Sequence, residues 1–311
     1  MADLNWTQLR EQTIGRLELR AFPPTVNLPA LPHAVTEFIE QSQNPEVGIK
    51  ELSTILETDT GITTELLRYV NSTYFGLRNK AHNVLQALTM LGGKQSRMFV
   101  VTTGMQAAIQ SRQSKLLNQS CFWNASLQKA IFAREVAGLL GADQDLAFAA
   151  GLMQDFLLPV LTNDLYDFYT PFAAEREKLP SMLTTYEQGT YGWDHAIAAA
   201  ALGANWKLPD DLICCILLHH SGLKLHNHPL LGKTAAFAVA TSGLLPDQLR
   251  QVYDGLEQLL ELEKRWPEFH LQELVETVDQ KHAEIGLGVQ NDFPLSRRCR
   301  AVLEESAEAL S

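Results

Sequence analysis

Two adjacent histidines at the end of an apolar segment are the residues in this sequence best suited to metal or acid–base chemistry. The segment "ICCILLHHSG", residues 213 to 222, places His219 and His220 directly after six apolar or thiol residues. Adjacent residues point about 100° apart around a helix of 3.6 residues per turn, so the pair would seldom bind one ion together. One imidazole could bind a metal while the other packs or forms a hydrogen bond.

A carboxylate and a thiol share the helical face of the first histidine. Asp211 and Cys215 precede His219 at intervals of one turn, and such a set could bind zinc. The simpler interpretation is that Cys215 is a small buried hydrophobe and that Asp211 stabilises the first turn of its helix. His226 and His228 follow in "KLHNHP", where the neighbouring glycine and proline predict an exposed loop.

Two further ionisable residues lie in strongly apolar sequence. Asp155 interrupts "GLMQDFLLPVL", and an isolated carboxylate is costly to bury, so it needs a partner. A helix N-terminus or Arg134 would be an ordinary partner, and a metal or His219 is the alternative. His195 begins an alanine-rich helix in "DHAIAAAALGANW", where Asp194 is the expected N-cap.

The elements that must position these residues are helices. Apolar residues recur every three or four positions along nearly the whole chain, which predicts an all-α fold. Apolar pairs on either side of Asp59-Thr60-Gly61 predict two short helices there. The proline-punctuated "AFPPTVNLPALP" predicts an extended connector after a first helix at about residues 4 to 20.

Polar and charged segments divide the chain into four predicted parts. Residues 1–27 form an N-terminal helix and connector, and residues 28–112 a first helical lobe. The polar segment "QSRQSKLLNQSCF" separates that lobe from a second one at residues 120–245. Residues 246–311 are a charged tail, in which "DQLRQVYDGLEQLLELEKRW" and "LSRRCRAVLEESAEAL" are both typical of amphipathic helices.

Composition narrows the class of protein. With 311 residues and 46% hydrophobic composition the chain can bury a substantial core, and its net charge of −11 disfavours binding to nucleic acid. Four cysteines, two of them adjacent, suit neither a disulfide framework nor a zinc motif, which favours a reducing compartment. The polar N-terminus and the shortness of the uncharged stretches predict a cytoplasmic protein that does not enter a membrane.

Several motifs, in order, resemble the HDOD domain, the HD-related output domain of bacterial signalling proteins. The resemblance covers most of residues 28–222 and rests on "LPALPHAVTEFIE", "LETDTGITTELLRYVNSTYFG", "NVLQALTMLGGKQSRMFVV" and "DHAIAAAALGANWKLPDDLICCILLHH". Thr60 stands where the second motif usually has proline. The resemblance implies a two-lobed helical fold related to the HD metal phosphohydrolases, whose histidines and aspartates hold one or two metal ions over a phosphoester.

Carried over residue by residue, the resemblance implies a degenerate phosphohydrolase site. The positions that remain from such a site are Gln154, Asp155, His195, His219 and His220. Ala125 and Thr241 stand where HD enzymes have ligands. With Asp155 as the single carboxylate, we expect no stoichiometric metal, no cofactor and no hydrolysis. We also expect Asp155, His195 and at least one of the paired histidines to lie together in a cleft.

The predicted function is therefore that of a non-catalytic signal-transduction or scaffold protein that acts through protein partners. The N-terminal helix and the charged tail are the predicted contact surfaces, unless they dock on their own domain, as amphipathic faces usually do. One alternative is a metal-dependent phosphohydrolase with an incomplete ligand set that recruits His226 or His228. Another is a nucleotide-binding pseudoenzyme, although the sequence has no glycine-rich phosphate loop.

Overall fold

The computed structural model describes residues 4–14, 22–72, 80–110, 112–175, 180–285 and 290–309. Within these ranges the regular secondary structure is helical and no strand occurs, so the all-α prediction is confirmed. Buried residues from both predicted lobes and from the tail belong to one hydrophobic core.

The described helices fall into three groups along the chain. The first group contains α1 (Trp6–Ile14), α2 (His33–Gln41), α3 (Ile49–Glu57), α4 (Thr60–Val70) and α5 (Val84–Gln110). The second contains α6 (Gln119–Leu140), α7 (Gln144–Met153), α8 (Leu158–Asp164), α9 (Tyr166–Glu175), α10 (Leu183–Tyr191), α11 (His195–Asn205), α12 (Asp210–Leu217) and α13 (Ala235–Ser242), with a 3-10 turn at Gly222–Leu225. The tail forms α14 (Gly255–Arg265), α15 (Leu271–Ile285) and α16 (Leu295–Ala309).

Local signals place the first helices. Asp59 accepts a hydrogen bond from the Ile62 amide at 3.0 Å, and this N-cap separates α3 from α4 as predicted. Residues 22–32 contain no helix, as the prolines indicated. Gly92, with φ of 74°, breaks the regular geometry of α5. Residues 15–20 of the predicted first helix, and the Tyr-Phe-Gly end of the second motif, lie outside the described residues.

The pair α6 and α7 is the centre of the second lobe. Asn118 caps α6 by accepting from the Cys121 amide at 3.0 Å, and Asp143 caps α7 by accepting from the Leu146 amide at 3.1 Å. A methyl group at Gly151 would lie 3.0 Å from the Cα of Ala130 and 3.1 Å from the carbonyl oxygen of Lys129. The absence of a side chain at Gly151 therefore lets the two helices approach closely.

Two predicted helices are interrupted. Asp155 was expected inside an apolar helix, but α7 ends at Met153 and a turn carries Asp155 before α8 begins. Pro159 explains the new start, because proline is favoured in the first helical turn and not in a helix interior. The helix predicted from Asp247 begins only at residue 255, because the Asp247 side chain accepts from the Leu249 amide at 2.9 Å and stabilises a turn instead.

Both terminal segments dock on the rest of the chain. In α1, Arg10 pairs with Asp210 at the start of α12, with 2.7 Å between Nη1 and Oδ1. In α15, Lys281 pairs with Glu135 of α6 at 2.6 Å. In α16, Arg298 donates to the carbonyl oxygen of Pro246 at 2.6 Å. The described parts of these amphipathic helices therefore pack on their own protein.

One segment is long and apolar enough to cross a membrane, which corrects the expectation that none approaches that length. It covers Gln144–Asp164 among the described residues, 21 residues that contain an 18-residue window with a mean hydropathy of 1.3. In the structure it forms α7, a turn and α8, and 94% of that window is buried inside the protein. Buried core helices of globular proteins commonly have this composition.

The close approach of α6 and α7 predicts different effects for two helical glycines. Gly151→Ala should lower the free energy of unfolding by about 1–3 kcal/mol, because the added methyl group meets backbone atoms. Gly138→Ala is the matched control: its methyl group would meet nothing nearer than 3.5 Å, and alanine favours helix by about 1 kcal/mol. Urea unfolding of both variants measures the difference, and equal stability of the two would contradict the packing described.

Candidate functional site

Asp155, His195, His219 and His220 converge on one point inside the protein. One ligand atom from each residue lies within 4.8 Å of the others. The Asp155 Oδ1 atom is 3.5 Å from His195 Nε2 and 3.3 Å from His219 Nε2. The His195 Nε2 atom is 3.4 Å from His219 Nε2 and 2.9 Å from His220 Nε2. The structure thus brings together the four ionisable residues of the predicted site.

The cluster is buried and does not line an open cleft. The exposed fractions are 4% for Asp155, 1% for His195 and 0% for His219, and His220 is half-buried. A pocket of about 20 Å³ reaches its edge. Asp155 and its polar neighbours line it together with apolar residues such as Phe122 and Leu158, but none of the three histidines does.

Helix ends position the imidazoles. His195 is the first residue of α11, directly after the Asp194 N-cap, which accepts from the Ile197 amide at 2.9 Å as predicted. His219 and His220 lie in the turn after α12, which ends at Leu217. The prediction that the pair would diverge assumed a continuous helix, and it is wrong because the helix has already ended. The two ring centroids are 4.0 Å apart.

The cation that pairs with Asp155 is the ammonium of Lys129, which the sequence interpretation missed. Its Nζ lies 2.8 Å from Asp155 Oδ2 and 2.9 Å from Asp247 Oδ2, and its side chain is 3% exposed. Arg134, the partner considered from the sequence, pairs with Asp145 at 3.4 Å. A signal for Lys129 existed: it is a lone charge in the apolar run "SLQKAIFA", one helical turn after Ala125.

Asp155 is not the only carboxylate at the site, and that expectation is wrong. Asp247 contacts Lys129 and accepts from Gln251 Nε2 at 2.7 Å. Glu187, fully buried, lies on the far side of His195, with 2.7 Å between its Oε2 and His195 Nδ1. Its Oε1 accepts from the Tyr169 hydroxyl, also at 2.7 Å.

The other positions taken from the resemblance do not join the cluster. Gln154 accepts from Ser242 Oγ at 3.2 Å, and Thr241 donates to the Ala238 carbonyl oxygen at 2.7 Å. Ala125 lines the pocket beside Lys129.

The remaining sequence candidates have structural contacts elsewhere. The His226 ring packs 5.3 Å from the ring of Phe237, and His228 Nδ1 accepts from the Leu231 amide at 3.1 Å. In the part of the chain that the structure describes, neither Asp211 nor Cys215 belongs to the cluster of possible metal ligands around Asp155.

Burial and neighbouring charges shift the pKa values of the residues in the cluster. Burial opposes ionisation of Asp155, but Lys129 and hydrogen bonds from His195 and His219 hold its pKa well below the ordinary value. Burial also disfavours the imidazolium of His195, yet Glu187 and Asp155 raise its pKa to about 10. For His220, burial and the two neighbouring histidines depress the pKa well below its usual range. At neutral pH, Lys129 and His195 are therefore cationic and His220 is neutral.

One carboxylate and three imidazoles are also ligands that zinc and similar ions prefer. His219 Nδ1 donates, at 2.6 Å, to the Ile216 carbonyl oxygen, which can only accept, so His219 Nε2 faces the cluster. Glu187 behind His195 resembles the outer partner of a metal-bound histidine. However, His195 Nε2 lies 2.9 Å from His220 Nε2, so the cationic His195 can donate its hydrogen to the neutral His220. A metal would compete with this hydrogen for the same nitrogens.

An all-helical fold with this histidine and aspartate cluster is that of an HD-related domain. The sequence matches the HDOD domain over residues 28–222, and the chain belongs to the HDOD domain family.

Individual relatives agree with this assignment. An "Uncharacterized protein" of Treponema pallidum (strain Nichols) is 26% identical over 201 residues, which are 63% of this chain but only 38% of that protein. The "Putative phosphohydrolase" of Shewanella amazonensis SB2B is 21% identical with a TM-score of 0.64, and 88% of this chain and 98% of that chain are covered. An "HDOD domain protein with unknown function" from Geobacter sulfurreducens is 19% identical with a TM-score of 0.59, covering 97% and 96%. These solved structures share the fold.

The ion pairs of Lys129 predict a large effect of its removal. Lys129→Met should lower the free energy of unfolding by about 3–5 kcal/mol, because two carboxylates lose their buried cation. Lys264→Met, at an exposed pair with Glu261, should leave it nearly unchanged. Adding Asp155→Asn and Asp247→Asn to Lys129→Met should recover part of the loss. Urea unfolding measures all three, and a Lys129→Met protein as stable as the wild type would contradict the ion pairs.

The raised pKa of His195 predicts a loss of stability in alkali. An imidazole with a pKa of about 6.5 unfolded and about 10 folded stabilises the protein fully below pH 6.5, and this contribution falls as the pH rises towards 10. His195→Gln cannot titrate and should show a flatter dependence, whereas exposed His228→Gln should follow the wild type. Urea midpoints between pH 6.5 and 10 in metal-free buffer provide the measurement. Parallel curves for wild type and His195→Gln would show that His195 is not protonated as described.

Proposed function

We propose that this HDOD protein is a non-catalytic signal-transduction or scaffold protein that acts by binding protein partners. The observation that carries the proposal is the position of Lys129, whose ammonium lies 2.8 Å from Asp155 and 2.9 Å from Asp247. The chain's own cation thus compensates the carboxylates of the site. A phosphohydrolase needs the negative charge of its carboxylates to hold its metal ion, and the ion lowers the pKa of bound water.

Restricted access to the histidines supports the same role. The pocket beside the cluster has a volume of about 20 Å³, far below the usual range for small-molecule pockets. It is lined by Lys129 and Asp155, and the three imidazoles do not form part of its wall. A phosphoester in this pocket would meet the Lys129 ion pairs before it met any histidine.

We propose a protein partner because the net charge of −11 disfavours nucleic acid and anionic membrane surfaces. A cytoplasmic location is proposed on the cysteines, all four of which are free. The described parts of α1, α15 and α16 already use their inner faces on their own domain, so only their outer faces would be available to the partner.

The alternative, a metal-dependent phosphohydrolase, is favoured by one specific observation. The ligand atoms of Asp155, His195, His219 and His220 lie within 4.8 Å of one another. These four residues would hold the ion, which when bound would supply a Lewis acid and an activated water. Lys129 would then neutralise the second oxygen of Asp155, and Glu187 would orient His195.

The test uses the intact chain, supplied with Zn²⁺, Mn²⁺ or Fe²⁺ and then desalted. We expect substoichiometric metal by mass spectrometry and no hydrolysis of bis(p-nitrophenyl) phosphate, for the wild type and for Asp155→Asn. As baits, wild type and Asp155→Asn should recover the same partners from a lysate. Asp211→Asn, which removes a carboxylate outside the cluster, is the control. One equivalent of metal with turnover that Asp155→Asn abolishes and Asp211→Asn leaves intact would establish the enzyme instead.

A further inference from the structure

A second pocket, remote from the histidine cluster, lies where three parts of the chain meet. Its volume is about 400 Å³, within the usual range for small-molecule sites. Its wall includes Arg10 of α1, Arg97 of α5 and the segment from Ala204 to Asp210 that joins α11 to α12. A molecule bound there would touch the N-terminal helix and both lobes.

The charge of the lining is opposite to that of the protein. Three lining residues are basic, namely Arg10, Arg97 and Lys207, and one, Asp210, is acidic, whereas the whole chain carries −11. The rest of the wall is largely apolar and includes Ile39, Val101 and Leu208. Such a pocket suits a ligand with a negative group attached to an apolar body.

Two of the basic residues are already paired. Arg10 forms its ion pair with Asp210 at 2.7 Å, and Lys207 pairs with Glu40 at 2.8 Å on the surface. These contacts hold α1 and α2 against the α11–α12 connection.

Arg97 differs from these two because its guanidinium lacks a carboxylate partner among the described residues. Its one hydrogen bond runs from Nη2 to the Ser42 carbonyl oxygen at 2.6 Å. Its Nε is buried and has no partner in the described part of the chain. A buried donor without an acceptor is costly, and a guanidinium offers five N–H groups in a planar fork that matches phosphate.

Lys207 occupies a backbone conformation that favours glycine. Its φ is 56°, and it follows the end of α11, where the Leu208 amide donates to the Gly203 carbonyl oxygen at 3.0 Å. Glycine is the usual residue at this position of a helix end, because it adopts positive φ without strain. A lysine here places a positive charge at the pocket in spite of that strain.

We infer that this pocket binds a small organic phosphate, with Arg97 as the principal anchor and Arg10 and Lys207 at its sides. The phosphate would supply acceptors to Arg97, and the apolar wall would contact the body of the ligand. Because the site is separate from the Lys129 cluster, its binding can be measured whether or not the proposed scaffold role holds.

The experiment measures binding of adenosine 5′-monophosphate, inorganic pyrophosphate and citrate to the intact chain by calorimetry. We expect saturable binding of the nucleotide and an increase in Tm as ligand is added. Arg97→Gln should weaken binding at least about tenfold, as expected for a lost charge-assisted hydrogen bond. Lys207→Gly should weaken it too, while its Tm without ligand stays equal to or above that of the wild type.

Lys264→Gln, which removes an exposed charge from α14, is the control and should bind as the wild type does. The unliganded Tm of Lys207→Gly separates lost binding from lost folding. The inference is overturned if neither phosphate probe binds saturably, or if Arg97→Gln and Lys207→Gly bind like the wild type. Citrate that binds as tightly as the nucleotide would overturn the assignment to phosphates.

Discussion

The buried ammonium of Lys129 is the interaction on which the centre of this structure depends. It joins three separate segments: α6, the turn between α7 and α8, and the turn that follows Pro246. Removing three charges from water is costly, and the arrangement is stable only while each has its partner. The packing of α7 on α6 at Gly151 is therefore coupled to an electrostatic requirement, because it brings Asp155 to the lysine.

The same requirement accounts for two breaks in the helical periodicity, one after the end of α7 at Met153 and one before the start of α14 at Gly255. Asp155 and Asp247 both lie in turns, where a side chain can reach a partner that a helical position would not allow. His219 and His220 gain the same freedom from the end of α12, so adjacent imidazoles face one point. The resulting network also includes the buried side chains of Glu187 and Tyr169, so its ionisable groups lie inside the second lobe.

In this chain three histidines and one aspartate converge, while the ammonium of Lys129 pairs with the carboxylates beside them. Protons and a metal would compete at His195 and His220, and the raised pKa of His195 favours the protons in the absence of metal. The basic pocket at Arg97 is independent of that competition, since a different set of helices forms it. The proposed signalling through protein contacts and the proposed ligand binding at this pocket are compatible with one another.

The sequence by itself determined the helical class, the break between α3 and α4, the N-caps Asp59 and Asp194, and the residues of the histidine cluster. These follow from periodicity, from local hydrogen bonds and from motif order. Only the tertiary structure decided that Lys129 pairs with Asp155 and Asp247, which are 26 and 118 positions away in the chain. Periodicity shows which face of a helix is buried, but the partner of a buried charge depends on how distant segments pack. For the same reason the sequence could not place Glu187 behind His195 or show that His219 and His220 face one point.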